Sequence, residues 1–141
     1  MNLYLELVKM EKIILVDAVD AFVIRDNDTF KIFKEMYDLL DTFPNKKIIL
    51  TGANDEQFKK FGLNKMPYEV FTLKHDPEKT NPEYYRIMLH HFNLNKDDVI
   101  YFEHNPDAVK SAESVGIKTY YYDFNKADLS ALKEFLLENL R

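Results

Sequence analysis

Three polar groups in this chain stand directly behind short apolar runs. Asp17 follows the run 13–16, Thr51 with Gly52 follows 48–50, and Glu103 with His104 follows 100–102. A carboxylate in such a place can attack an electrophile or bind a cation. A hydroxyl beside a glycine amide can hold the oxygens of an anion, and an acid beside an imidazole can move a proton or ligate a metal. Lys79 opens the segment Lys79-Thr80-Asn81-Pro82, in which Asn is a natural N-cap and Pro suits the first helical position. A cation anchored at a helix start fits a site where negative charge grows. The other histidines carry less. His75, in His75-Asp76-Pro77-Glu78, is near Lys79 and could touch a substrate, although Asp-Pro reads first as a solvated turn. His90-His91 falls in a helical segment, one ring expected at the core edge and the other in solvent, and is not read as a metal pair.

For those groups to meet, their strands must lie side by side. Runs rich in β-branched and aromatic residues occur at 12–18, 46–51, 68–73, 98–103 and 117–122. Between and after them, Phe30, Phe33, Met36, Tyr37 and Leu40, then Tyr84, Ile87, Met88 and His91, then Leu129, Leu132, Phe135, Leu136 and Leu140 follow helical spacing. This alternation predicts βαβ units, hence an α/β fold with a five-stranded parallel sheet in three Rossmann-like layers. In such a sheet the carboxyl ends of the strands share one edge, and ligands bind outside it. Gly62 and Gly116 are expected to terminate helices. Of Tyr120, Tyr121 and Tyr122, at least one ring should be buried and another exposed.

The chain's 141 residues, 46% of them hydrophobic, suit one domain with a real core. With 19 basic and 24 acidic residues the net charge is -5, which argues against nucleic acid or an anionic membrane as partner. Zero cysteines exclude disulfides, thiolate zinc sites and a cysteine nucleophile. The densest apolar stretches, 13–16 and 21–24, are too short to span a membrane, so a soluble, cytoplasmic protein is expected. Residues 1–11 are read as an N-terminal extension of unassigned role and 12–141 as a single domain.

Over about residues 12–123 these segments together resemble the haloacid dehalogenase-like (HAD) superfamily. Ile13-Ile14-Leu15-Val16-Asp17 looks like its nucleophile strand, and Ile48-Ile49-Leu50-Thr51-Gly52 like its hydroxyl motif. Lys79-Thr80-Asn81-Pro82-Glu83-Tyr84-Tyr85 looks like its lysine motif. In 99–116, Glu103, Pro106, Val109, Ala112 and Gly116 fall where the family usually has the same residues. The short connections leave no space for a cap domain. The resemblance implies phosphoryl transfer through an aspartyl-phosphate at Asp17, with Thr51, Gly52 and Lys79 holding the phosphoryl oxygens. It also implies a divalent cation, magnesium or manganese, held by Asp17, the Val19 carbonyl and the fourth motif at Glu103 and His104.

Two positions depart from the family pattern. The first motif reads Asp17-Ala18-Val19-Asp20-Ala21, which puts Val19 at the general-acid position. An isopropyl group can neither protonate a leaving alkoxide nor activate water, a contribution typically worth ~10²–10⁴-fold. Asp20 is the neighbouring acid that could stand in, but a one-residue shift at a strand end usually turns a side chain the other way. His104 falls where an aspartate ligand is expected. Imidazole suits manganese, cobalt, nickel or zinc better than magnesium, and the alternative is that His104 hydrogen-bonds Asp17 and binds nothing.

The leading expectation is a cap-less HAD-like phosphohydrolase, slow or specialised, acting on a phosphorylated small molecule or protein. Its open site would suit a large substrate, or a second subunit serving as a lid in a homo-oligomer. The alternative is a phosphate-binding or regulatory pseudoenzyme. Attack of Asp17 on carbon lacks a cap to desolvate the substrate, and a response-regulator-like switch accounts less well for Lys79.

Overall fold

The first strand, β1 (Ile13–Asp17), is apolar at four successive positions and buried on both faces, as a central strand of a parallel sheet must be. A computed structural model describes residues 11–140 of the chain; the proposed extension lies almost wholly outside the described residues. In chain order β1 is followed by a hairpin, β2 (Val23–Asp26) and β3 (Thr29–Ile32), then α1 (Lys34–Asp41), β4 (Lys47–Thr51), α2 (Asp55–Lys60) and β5 (Glu69–Thr72). The second half continues with α3 (Pro82–His91), β6 (Val99–Glu103), α4 (Pro106–Ser114), β7 (Lys118–Tyr121) and α5 (Leu129–Asn139).

Five strands form one parallel sheet in the order β5-β4-β1-β6-β7. The chain leaves the central β1 to build one half of the sheet and returns to build the other. The strand order therefore reverses at β1, and Asp17 stands at the switch point where such sheets bind ligands.

Strand alternation divides the core between the two faces of the sheet. Ile14, Val16, Ile49, Ile100 and Phe102 meet Met36 and Leu40 of α1 and Leu132 and Leu136 of α5. Leu15, Ile48, Leu50, Val99 and Tyr101 meet Tyr84, Tyr85 and Met88 of α3 and Ala112 of α4. Asn81 and Asn105 cap α3 and α4 with their side-chain oxygens, and proline follows each. Gly62 and Gly116 follow α2 and α4 in left-handed conformations, at φ 70° and 91°.

The hairpin is a departure from the sequence expectation. Phe30, read as the first residue of a helical stripe, lies on β3, and the helix starts only at Lys34. Phe30 and Ile32 alternate along a strand, with Arg25 opposite Phe30 and its guanidinium 5.1 Å from that ring. Three- and four-residue steps across a tight turn had imitated a helix. His90 and His91 are both exposed, His91 leaning on Phe71 at 5.2 Å, so the pair divides less sharply than expected. Tyr122 is buried, Tyr121 is 48% exposed, and Tyr120 packs on Phe135 of α5. No helix among the described residues is long and apolar enough to cross a membrane.

Candidate active site

Asp17, Thr51 and Glu103 end three adjacent strands, and parallel register brings them to one edge. Lys79 reaches them from the loop before α3. Its ammonium lies 2.7 Å from Asp17 Oδ1 and 2.7 Å from Glu103 Oε1, and it also donates to the Leu50 carbonyl at 3.3 Å. The loop is tied down by Ser111 of α4, whose hydroxyl donates to the Thr80 carbonyl at 2.5 Å. Tyr101, two residues before Glu103 on the same strand face, donates its hydroxyl to Glu103.

His104 completes the cluster. Its backbone N–H donates to Asp17 Oδ2 at 3.0 Å, and its ring Nδ1 is 2.5 Å from that oxygen and 3.2 Å from Glu103 Oε2. Its other nitrogen, Nε2, faces Asp20 Oδ2 at 3.6 Å. Asp20 is placed there by a left-handed backbone, φ 71°, in the turn that closes with the Phe22 N–H on the Asp17 carbonyl. It is thus brought to His104 and is not among the residues lining the cleft. Val19 is.

The cleft has a volume of about 160 Å³ and is lined by Asp17, Val19, Thr51, Gly52, Lys79 and His104, together with Ala53, Gln57, Phe61 and His75. Thr51 accepts the Ala53 N–H on its hydroxyl oxygen at 3.2 Å, which leaves the hydroxyl proton free to be donated. A side chain at position 52 would crowd the His75 ring, its Cβ lying 3.3 Å from Nδ1. His75 is held between Glu78 and Gln57, so the turn around Asp76-Pro77 also forms a wall of the site. Several of these groups were not singled out in the sequence. Tyr101 had a signal, period-two spacing from Glu103. Gln57 had only the Asn54-to-Gln57 capping box that fixes its side chain, and Phe61 had no signal beyond its apolarity.

Burial and mutual charge set the protonation of the cluster. Burial and the like charge of Glu103 hold Asp17 above the ordinary carboxylate range, with Lys79 and His104 opposing. Burial would raise Glu103 as well, but the Lys79 ammonium and hydrogen bonds from its neighbours bring it below that range. Burial disfavours the charged form of His104, yet its hydrogen bonds to Asp17 and Glu103 and their charges push it up to about 10. Lys79 stays well above its ordinary value for the same reason, the two carboxylates outweighing burial.

No protein-family model and no curated protein matches the chain. Solved structures do. A HAD family enzyme from Bacteroides thetaiotaomicron, crystallised as an alanine mutant with magnesium and inorganic phosphate, aligns at TM-score 0.69 and 13% identity. The alignment covers 86% of this chain and 98% of that one. A HAD-superfamily hydrolase from Ehrlichia chaffeensis aligns at TM-score 0.62 and 17% identity, over 83% of this chain and 63% of its own. A HAD-superfamily hydrolase from Geobacter sulfurreducens aligns at TM-score 0.60 and 12% identity, over 81% and 88%. The chain has a HAD-like fold. Among the described residues the β1-to-α1 connection holds only the β2–β3 hairpin, so this HAD-like chain carries no cap domain there.

At these identities the likeness is one of fold, and the chemistry rests on the chain's own residues. Ligand atoms of Asp17, Glu103 and His104 lie within 4.8 Å of one another, close enough to converge on an ion. They already bind each other, however. A ring N–H between two carboxylates has no lone pair to offer, and magnesium selects oxygen over imidazole. As arranged, this donor set does not fit magnesium.

Proposed function

We propose that the HAD-like chain is a phosphohydrolase that works through an aspartyl-phosphate at Asp17 and is restricted to good leaving groups. The observation that supports this most is the meeting of Asp17, Thr51, Gly52 and Lys79 in one cleft at the sheet's switch point, with Lys79 2.7 Å from Asp17. Asp17 Oδ2 takes two donors from His104, while Oδ1, among the described residues, takes only Lys79 and keeps a lone pair for phosphorus. In the first step that oxygen bonds to phosphorus as the bond from phosphorus to the leaving oxygen breaks. The Thr51 hydroxyl, the Gly52 N–H and the Lys79 ammonium stabilise the charge gathering on the phosphoryl oxygens. Water then attacks phosphorus, releasing inorganic phosphate and restoring the Asp17 carboxylate. Because Val19 supplies no proton, the leaving group departs as an anion. Aryl and acyl phosphates therefore react and alkyl phosphates barely do.

The test is steady-state hydrolysis of phosphates whose leaving groups span a range of pKa. The expected result is a steep fall in kcat as leaving-group pKa rises, abolished altogether by Asp17→Asn. Val19→Asp should raise kcat for alkyl phosphates by ~10²–10⁴-fold and flatten that dependence. Equal rates across leaving groups would overturn the reading. Val19 also supports a second reading, a phosphate-binding pseudoenzyme. That one is favoured if both the natural protein and a folded Val19→Asp bind inorganic phosphate and hydrolyse nothing.

A further inference from the structure

We infer that His104 is the resident cation of this cleft, taking the place of a divalent metal, so that the site accepts a phosphate dianion without any metal ion. The inference rests on the phosphate reading above and specifies how that site is charged. Both ring nitrogens of His104 face acceptors only. Nδ1 is 2.5 Å from Asp17 Oδ2 and 3.2 Å from Glu103 Oε2, and Nε2 is 3.6 Å from Asp20 Oδ2. Nδ1 lies between two carboxylates and Nε2 stands at ion-pair distance from a third, and three negative charges around one ring favour its protonated form, which makes it a cation. The charge balance needs it. Asp17 and Glu103, at 2% and 0% side-chain exposure, face one lysine among the described residues, and without a second positive charge the cluster would repel a phosphate dianion. The ring is also held in place. Its own backbone N–H is fixed on Asp17, and Phe124 packs edge-on against it with centroids 5.5 Å apart.

Calorimetric titration of the full chain tests this. Inorganic phosphate is titrated in EDTA and again in magnesium, and manganese is titrated alone. The expected result is the same phosphate Kd in both buffers and no saturable manganese binding. His104→Asp exchanges the cation for an oxygen ligand. It should weaken phosphate binding in EDTA by at least about tenfold, because a positive charge beside the anion becomes a negative one, and recover it with magnesium or manganese. His104→Leu, with neither a charge nor a ligand atom of its own, should bind weakly in both buffers. Saturable manganese binding by the natural protein, or phosphate binding only when metal is present, overturns the inference. If the natural protein binds phosphate in neither buffer, it is the phosphate reading that fails. Manganese bound by His104→Asp alone would then still support the replacement of metal by His104, and manganese bound by both proteins would overturn it.

Discussion

Glu103 is completely buried, and two tyrosines on the same side of the sheet show opposite ways of living beside it. Tyr101 donates its hydroxyl to the carboxylate, so Tyr101→Phe leaves a buried charge one partner short. The expected cost is ~1.5–3 kcal/mol, the range for a hydrogen bond to a charged group. Tyr85 is as deeply buried, but its hydroxyl has no hydrogen-bond partner among the described residues. Removing an unsatisfied hydroxyl removes its desolvation penalty, so Tyr85→Phe should be neutral or stabilising by up to ~1 kcal/mol. Denaturant midpoints of the two variants, compared with the unaltered chain at one pH, check the contrast. Equal destabilisation by both would mean that ring packing rather than the hydrogen bond dominates at this site. Tyr101 has a second effect, because it also accepts from Lys79 at 3.4 Å. Its loss should therefore lower kcat as well as stability, whereas Tyr85→Phe should leave the rate alone.

Among the elements, the lysine loop shows how the site depends on parts remote from it. Ser111 lies on α4, yet its hydroxyl holds the backbone at Thr80 and with it the approach of Lys79 to Asp17. Ser111→Ala should cost ~1 kcal/mol in stability and should lower kcat more than it raises KM, since a displaced ammonium is missed most when charge develops on phosphorus. An unchanged kcat would show that the cap at Asn81 positions the lysine unaided. How much of this was legible in the sequence follows from what each element is made of. All five sheet strands were readable to within one or two residues, because runs such as Ile13 to Val16 are apolar on both faces and bounded by polar or turn residues. The capped starts of α3 and α4 were readable from Asn-Pro. The hairpin was not, since Phe30, Phe33 and Tyr37 satisfy a helical period while Phe30 spends its ring on Phe61, 4.7 Å away and thirty-one positions along the chain. Nor was the path of Asp20. Strand alternation describes a chain that continues, and here the strand ends at Asp17 and the backbone turns left-handed at Asp20 itself.

For the molecule as a whole, the charged cluster makes the stability of the fold a function of pH, with its clearest signature on the alkaline side. His104 is raised from the ordinary 6.5 to about 10, so the folded state keeps a proton that the unfolded chain gives up. The stability this contributes is fully present below 6.5, is lost progressively as pH rises, and is gone above about 10. On the acid side two groups oppose each other. Glu103, lowered by Lys79 and its hydrogen bonds against the effect of burial, loses its contribution as pH falls below the ordinary carboxylate range. Asp17, raised by burial, destabilises the fold as pH rises above its unfolded value, so the acid limb should be shallow. At the alkaline extreme burial raises Tyr84, Tyr85 and Tyr101 above their ordinary value of 10.0, and their neutral hydroxyls add a second loss once the unfolded chain begins to ionise. Urea midpoints measured at intervals from neutral pH to about pH 11 should therefore fall in two stages, a gradual decline through the His104 window and a steeper one beyond it. His104→Gln should remove the first stage and leave the second. Parallel curves for the variant and the natural chain would mean that the folded state does not hold the His104 proton. The cluster around Asp17 would then carry one positive charge fewer than its geometry demands.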